Sequence, residues 1–139
     1  MHQKFYEIKI NTNGQGLYDF TKQTTLWINR IKANNGILNI NILHTSASLL
    51  IQENADPDVL EDLKKFYDKI APMDNSLYNH TTEGKDDMPA HIKTSLTNTQ
   101  LTISIKNEKI LLGTWQGLYL FEHRLEKQNR IISHHFIGN

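Results

Sequence analysis

Two stretches of helical periodicity, set between stretches of strict alternation, limit this chain to folds that combine helices with a sheet. Apolar residues recur every three or four positions over residues 17–31, which predicts an amphipathic helix that ends before Gly36. A second helix is predicted to begin with Asp56 as its N-cap and Pro57 in its first turn, and to end at Pro72. These two helices cannot form a sheet, so the alternating segments must supply it.

Alternation of apolar and polar residues predicts the strands, and a proline predicts one more helix. The expected strands are residues 4–10, 37–52, 101–105, 110–123 and 130–137. Within the second of these the pattern slips by one residue near Leu43 and His44, which indicates a β-bulge. A hairpin turn is expected at residues 106–109, and a short helix begins near Met88. The sequence predicts one α+β domain over residues 1–139, with a largely antiparallel sheet and the helices packed on it.

Charge and composition exclude several classes of protein. The 139 residues carry 15 basic and 15 acidic side chains, so the chain has no overall electrostatic attraction for nucleic acid or for an anionic membrane. It contains no cysteine, which leaves imidazole, carboxylate and hydroxyl groups for any chemistry. The first residues lack the apolar core of a signal peptide, and we expect a cytoplasmic protein.

Residues 79–93 concentrate groups that bind metals and transfer protons. The segment holds two histidines and three carboxylates, namely His80, Glu83, Asp86, Asp87 and His91. Such groups are costly to bury without partners, so their density indicates a site. The three carboxylates are candidates for general acid or base catalysis, and Gly84 lets the backbone bend close to a ligand. One of the two aspartates is expected to cap the helix that begins near Met88.

Four histidines in polar surroundings are candidate metal ligands: His44, His80, His91 and His123. Three imidazoles with an open coordination position would give a divalent ion a water of lowered pKa. No two of these histidines have the i,i+4 spacing of a zinc-binding helix, so three separate segments would have to converge. The alternative is that each is a hydrogen-bonded, half-buried histidine without a metal.

Further residues suit a bound metabolite. Trp115, flanked by Gly113 and Gly117, either stacks on a flat ring or packs in a core or interface. The hydroxyl of Ser46 could anchor phosphate, and Lys93 and Arg124 could neutralise an anion, although a single such cation is most often simply solvated.

Four blocks together resemble a known family, the YjbQ-like proteins, also labelled secondary thiamine-phosphate synthase. The blocks are His44-Thr45-Ser46-Ala47-Ser48-Leu49, Glu53-Asn54-Ala55-Asp56-Pro57, residues 80–93 with Asp86-Asp87-Met88-Pro89-Ala90-His91-Ile92-Lys93, and Gly113-Thr114-Trp115-Gln116-Gly117 leading to Glu122-His123-Arg124. The resemblance implies an α+β subunit in a homotrimer, with a site at or near the subunit contacts. It also implies a low thiamine-phosphate synthase activity, although the chain has no Walker-type glycine-rich cradle for a diphosphate.

Three hypotheses follow. In the first, the chain is an enzyme that binds zinc or magnesium and acts on a phosphorylated or heterocyclic metabolite. Its metal ligands are His44, His91 and His123 with His80 in reserve, its proton-transfer groups are Glu83, Asp86 and Asp87, and its substrate contacts are Lys93, Arg124, Trp115 and Ser46. In the second, the chain is a trimer that binds such a metabolite without converting it. In the third, the polar blocks are hydrogen bonds at the trimer interface.

Overall fold

The structure, a computed structural model, describes residues 1–139. Its elements in chain order are β1 (His2–Asn13), β2 (Gly16–Asp19), α1 (Thr21–Arg30), β3 (Gly36–Ile42), β4 (Ala47–Glu53), α2 (Pro57–Ile70), α3 (Asp87–Leu96), β5 (Gln100–Lys106), β6 (Lys109–Ile110), β7 (Gln116–Glu122) and β8 (Lys127–Gly138). One turn of 3₁₀ helix, Asn75–Leu77, lies between α2 and α3. No helix is both long enough and apolar enough to cross a membrane.

The strands form two antiparallel sheets. One sheet has five strands in the order β1-β8-β3-β5-β6, and the other has three in the order β2-β7-β4. The α+β class and the antiparallel pairing are therefore confirmed, whereas the expectation of one sheet is wrong. The first and last strands pair over their whole length, from His2 opposite Gly138 to Asn13 opposite Lys127.

The core lies between the two sheets and takes in the inner side of α1. Its largest contributors are Phe20, Trp27, Ile28, Leu38, Ile40, Leu49, Leu118, Leu120, Ile132 and Phe136. Strand β7 is buried on both faces, because Phe121 points away from this core and meets the ring of Tyr67 on α2, with 5.5 Å between the ring centroids. Burial of these side chains is the main force that holds the sheets together.

Residues 37–52 form two strands in different sheets, so the predicted β-bulge is wrong. Strand β3 ends at Ile42, and residues 43–46 carry the chain across to β4 in the smaller sheet. The amide of Leu43 still donates to the carbonyl of Ile131 on β8, at 3.2 Å. The one-residue slip in the sequence pattern therefore marks a change of sheet.

Two other boundaries differ from expectation because of pairing with β7. Leu17 lies in β2 opposite Phe121, and α1 starts only at Thr21, whose amide donates to Asp19 Oδ1 at 2.8 Å. The predicted strand over residues 110–123 is two strands, because residues 111–115 cross from the larger sheet to the smaller one. In the first case a segment of helical periodicity begins with a short strand, and in the second the chain changes sheets within a segment of alternation.

The cap and the hairpin are as predicted. Asp56 caps α2 by accepting a hydrogen bond from the amide of Asp58 at 2.9 Å, with Pro57 in the first turn. Asn107 and Glu108 connect β5 to β6 with φ angles of 50° and 65°, the positive values of a type I′ turn.

Candidate metal centre

The first turns of α3 and the loop before it bring His80, Asp87 and His91 together. One ligand atom from each residue lies within 4.8 Å of the others. Asp87 and His91 are four residues apart on one helical face, which places their side chains one above the other. Asp87 Oδ2 lies 2.6 Å from His80 Nε2 and 3.2 Å from His91 Nε2, and the carboxylate is buried while both imidazoles reach solvent.

The backbone of Thr45 sets the orientation of His91. His91 Nδ1 lies 2.9 Å from the carbonyl oxygen of Thr45, which can only accept a hydrogen bond. Nδ1 therefore carries a proton, which leaves Nε2, on the side of Asp87, as the ring nitrogen that could bind a metal. Metal-binding histidines are usually held in this way, with one nitrogen donating to a carbonyl or carboxylate and the other free for the metal.

Arg124 fixes the two aspartates from the other side. Its Nε donates to Asp86 Oδ2 at 2.9 Å, and its Nη1 donates to Asp87 Oδ1 at 2.6 Å. The third guanidinium nitrogen, Nη2, donates to the carbonyl oxygen of Glu83 at 2.8 Å. With Oδ1 of Asp87 taken by arginine, Oδ2 is the atom presented to the histidines.

These contacts keep both aspartates ionised. Burial alone would raise the pKa of Asp86, but hydrogen bonds from the amide of Leu125 and from Arg124 outweigh it and hold that pKa below its usual range. For Asp87, burial likewise acts to raise the pKa, and the hydrogen bond from His80 and the charge of Arg124 lower it overall. The same hydrogen bond to Asp87 raises the pKa of His80, partly offset by desolvation of the ring. A proton on His80 and a metal ion therefore compete for the same place.

Asp86 is not a helix cap of the predicted kind. It stands at the N-cap position of α3, but its side chain makes no capping hydrogen bond. Its Oδ2 instead accepts from Arg124 and from the amide of Leu125, each at 2.9 Å. Asp87 stands in the first turn of the helix, where a negative charge is favoured by the unpaired amides.

Gly84 allows the loop to fold back onto the helix. Its φ angle is +105°, a value that residues with a side chain rarely adopt. A Cβ at this position would lie 2.8 Å from Asp86 Oδ1. The turn brings Glu83 Oε2 to 3.0 Å from His80 Nε2, with most of the Glu83 side chain exposed to solvent.

His44 and His123, two of the three predicted ligands, do not join this group. His44 Nε2 accepts a hydrogen bond from the amide of Ile131 at 2.8 Å, so the lone pair of that nitrogen is occupied. Burial, followed by the charge of Arg130, lowers the pKa of His44. The His44 block contributes to the centre only through the carbonyl of its neighbour, Thr45.

His123 is buried in a separate hydrogen-bonded chain. Thr97 Oγ1 lies 2.8 Å from the carbonyl of Lys93 and 2.6 Å from Ser48 Oγ, and its single proton must serve the carbonyl, which cannot donate. Ser48 therefore donates to Thr97 and accepts from His123 Nε2, at 2.9 Å. Burial, then the charges of Lys93 and Arg130, lower the pKa of His123 to about 3, and its Nδ1 has no partner in the chain. The imidazole is thus neutral and enclosed.

The predicted substrate contacts are occupied or distant. Lys93 is buried, and its ammonium pairs with Asp68 on α2. Ser46 Oγ accepts from Arg130 Nη2 at 3.0 Å. Trp115 precedes β7, whereas Arg124 follows it, so these two residues lie at opposite ends of the strand.

A buried ion pair between Glu122 and Arg130, which the sequence did not indicate, holds the backbone next to the candidate centre. Glu122 is fully buried, and its Oε1 accepts from Arg130 Nε at 2.8 Å and from Thr12 Oγ1 at 2.6 Å. Its Oε2 accepts from the amides of His123 and Arg124, at 3.0 and 3.2 Å. The backbone that carries Arg124 is therefore fixed by Glu122. The i,i+4 spacing of Asp87 and His91 was the available signal for the aspartate as a ligand, but no sequence signal marked Arg130.

The chain is similar to known proteins over nearly its whole length. A family model described as UPF0047 protein YjbQ-like matches residues 6–139. A UPF0047 protein from Synechocystis sp. is 44% identical over 137 residues, which are 99% of this chain and 92% of the relative. The UPF0047 protein YjbQ of Escherichia coli O157:H7 is 45% identical over 101 residues, 73% of this chain and 72% of that protein.

Solved structures show the same fold. The crystal structure of an uncharacterized conserved protein of the YjbQ/UPF0047 family from Clostridium acetobutylicum matches with a TM-score of 0.84 and 34% identity, covering 96% of this chain and 99% of that one. A protein of unknown function from Sulfolobus solfataricus P2 matches in fold with a TM-score of 0.86 at 22% identity, covering 99% and 100% of the two chains. Taken with the family model and the sequence relatives, these matches place the chain in the UPF0047 YjbQ-like family.

Proposed function

We propose that the chain is a metal-dependent enzyme whose divalent ion is held by His80, Asp87 and His91. The observation that carries the proposal is the convergence of these three side chains on one point, with His91 oriented by the carbonyl of Thr45. Of the two metals expected from the sequence, zinc suits this donor set better, because two of the three ligands are imidazoles and magnesium prefers oxygen. Three protein ligands leave room for a water or a substrate atom.

The residues around the metal have distinct roles in this proposal. A zinc ion bound there would lower the pKa of a coordinated water toward neutrality. Glu83 is the proton-transfer group, because its carboxylate is exposed and borders His80 at 3.0 Å. Asp86 and Arg124 are positioning residues, since every contact they make holds the loop and Asp87 in place.

The substrate is a small metabolite that reaches the metal from solvent. Arg124 and Lys93 already neutralise aspartates, so a phosphate group would meet the metal rather than a free protein cation. This favours metal-assisted hydrolysis or transfer at a single phosphate or heterocycle over the binding of a diphosphate. Thiamine-phosphate synthase activity, which releases pyrophosphate, stays a prediction, and we expect its rate to be low.

Assembly into a homotrimer is part of the proposal, on the strength of the family resemblance. The alternative function is a trimer that holds the metabolite without converting it. A ligand recovered unchanged after long incubation with the metal-loaded protein would favour that alternative. Sedimentation velocity measures the oligomeric state independently of either function.

The test is metal binding by chelator-treated protein in isothermal titration calorimetry. We expect one zinc per chain, weaker binding of magnesium, and at least a hundredfold loss of zinc affinity in His91→Ala and in His80→Ala. His135→Ala is the matched control, because His135 lies on β8 with its ring stacked on Phe5 and is not one of the three proposed ligands. Absence of zinc binding, or equal binding by His91→Ala and the wild type, would overturn the proposal.

Catalysis is tested separately with Glu83→Gln. The zinc-loaded variant should keep its metal and lose turnover of whichever substrate a panel of phosphorylated and heterocyclic metabolites reveals, including the thiamine phosphate precursors. A variant that turns over at the wild-type rate would remove Glu83 from the mechanism while leaving the metal site intact.

A further inference from the structure

Trp115 lies at the opposite end of β7 from the candidate metal centre. Its side chain is 65% exposed, although tryptophan is among the most costly side chains to leave in water. It precedes β7, and Arg124 follows that strand nine positions later, a distance of roughly 25–30 Å for extended chain. Within one chain, the ring cannot contact a ligand of the metal centre.

The backbone that carries Trp115 is held rigidly. The amide of Asn54 donates to the carbonyl of Trp115 at 3.0 Å, and Asn54 Nδ2 donates to the carbonyls of Thr114 and Gln116 at 3.1 and 3.2 Å. The side-chain oxygen of Gln116 closes the turn by accepting from the amide of Gly113 at 2.7 Å. The exposed indole is therefore presented by a fixed loop.

An open cavity of about 490 Å³ lies beside the indole. Its walls are Ile51, Gln52, Glu53, Val59, Trp115 and Gln116, and we refer to it as the Trp115 cavity. This volume is within the range of small-molecule sites in proteins. Apolar side chains from β4 and α2 face an aromatic ring across it, which suits a flat ligand.

Glu53 gives the Trp115 cavity its charge. It is the only charged residue among the six that form the walls, and it takes part in none of the ion pairs of the chain. Behind it, the hydroxyl of Tyr119 donates to the backbone carbonyl of Glu53 at 2.8 Å. Burial raises the pKa of that hydroxyl, and the charges of Asp19 and Glu53 raise it further, so the surroundings are negative. An anion would be repelled here.

We propose that the Trp115 cavity is a second ligand site, which binds a flat organic cation such as a nitrogen heterocycle with a fixed positive charge. The ring stacks on the indole, whose electron-rich face attracts cations more strongly than any other aromatic side chain does. Glu53 supplies the opposing charge. The metal centre plays no part in this binding, so the site stands whether or not the chain is a metal-dependent enzyme.

The probe is 1-methylnicotinamide, a flat cation, and its matched control is nicotinamide, which has the same ring without the charge. Binding is followed in ¹H–¹⁵N spectra, where the chain's two tryptophans give one indole signal each. The buried Trp27 is an internal reference, and Trp115→Phe assigns the other signal. We expect a saturable shift of the Trp115 signal with the cation, and an affinity for nicotinamide that is lower by about fivefold or more.

Variants separate stacking from charge. Glu53→Gln should weaken binding of the cation by about fivefold and leave nicotinamide unchanged, since only the cation uses the carboxylate. Trp115→Ala should abolish binding of the cation, while His91→Ala should not affect it. Glu53 and Trp115 both reach solvent, so we expect the variants at these two positions to keep the fold.

Three results would overturn the proposal. One is equal affinity for the cation and for nicotinamide, and another is wild-type affinity for the cation in Glu53→Gln. The third is a Trp115 signal that shifts with protein concentration alone and does not respond to the probe, which would assign the surface to a contact between copies of the chain.

Discussion

His91 Nδ1 donates to the carbonyl oxygen of Thr45 at 2.9 Å, across 46 residues of sequence. The acceptor belongs to the link that carries the chain from the larger sheet to the smaller one, and the donor lies on α3. The orientation of a candidate metal ligand thus depends on where the chain changes sheets. The acceptor is a backbone group, so the contact does not use the Thr45 side chain.

Replacing Arg124 by alanine should damage both the candidate metal centre and the fold. Asp86 and Asp87 would stay buried without their shared counter-charge, and Asp87 Oδ1 would lose the contact that orients the carboxylate. We expect the free energy of unfolding in urea to fall by about 2–3 kcal/mol, and zinc affinity by about 10–100-fold. Arg30→Ala, at an exposed position in the last turn of α1, is the control and should change neither quantity. Unchanged zinc affinity in Arg124→Ala would contradict the positioning role.

Gly84→Ala should destabilise the loop of the candidate metal centre. The new Cβ would stand 2.8 Å from Asp86 Oδ1, at a φ of +105° that alanine adopts only under strain. The free energy of unfolding should fall by about 1–3 kcal/mol, as measured from the urea midpoint at constant slope. The neighbouring exposed substitution Lys85→Ala should be close to neutral. If the two variants unfold at the same urea concentration, the turn does not need glycine.

Glu122→Gln should be among the most destabilising single changes in the chain. The variant leaves the buried guanidinium of Arg130 without its counter-charge, although an amide can still accept part of the hydrogen bonding. A loss of about 3–5 kcal/mol is expected in chemical denaturation, against almost none for the exposed Glu126→Gln. A small effect at Glu122 would mean that the pair can be replaced by neutral hydrogen bonds.

His134 should make stability depend on pH below neutrality. Burial lowers its pKa from 6.5 to about 4, so the unfolded chain binds a proton between these values and the folded chain does not. The contribution of His134 to the free energy of unfolding is therefore fully present above about pH 6.5. It is lost as the pH drops toward 4, which lowers the free energy of unfolding by about 3 kcal/mol.

The pH dependence is measured from urea unfolding at pH 7 and at pH 4.5. His134→Gln should lose less stability between these two values than the wild type does, and His135→Gln, the next residue on β8, should lose the same as the wild type. Equal losses in the wild type and in His134→Gln would show that this imidazole titrates normally in the folded chain.

The elements that could be predicted from sequence are those fixed by local chemistry. The cap at Asp56, the proline after it and the turn at residues 106–109 depend on backbone preferences of a few neighbouring residues. The changes of sheet at residues 43–46 and 111–115 could not be predicted in the same way. A strand that continues in another sheet keeps its alternation, so the pattern carries no information about its partner.

The candidate metal centre was predictable only in part, for a related reason. The density of histidines and carboxylates in residues 79–93 identified the segment, and His80, Asp87 and His91 come from it. The choice of His44 and His123 rested on residue type, which does not reveal that one accepts from the amide of Ile131 and the other donates to Ser48. Such occupation depends on contacts between distant strands.

The central place of β8 in the larger sheet has a consequence for synthesis. Strands β1 and β3 are made early, yet both pair with β8 and not with each other. Until residues 127–138 have been synthesised, no strand joins β1 to β3. Ile8 of β1 and Leu38 of β3, which are buried in the folded chain, then lack part of the sheet that covers them. The larger sheet can thus be completed only after β8 has been synthesised, because β1 pairs with no other strand.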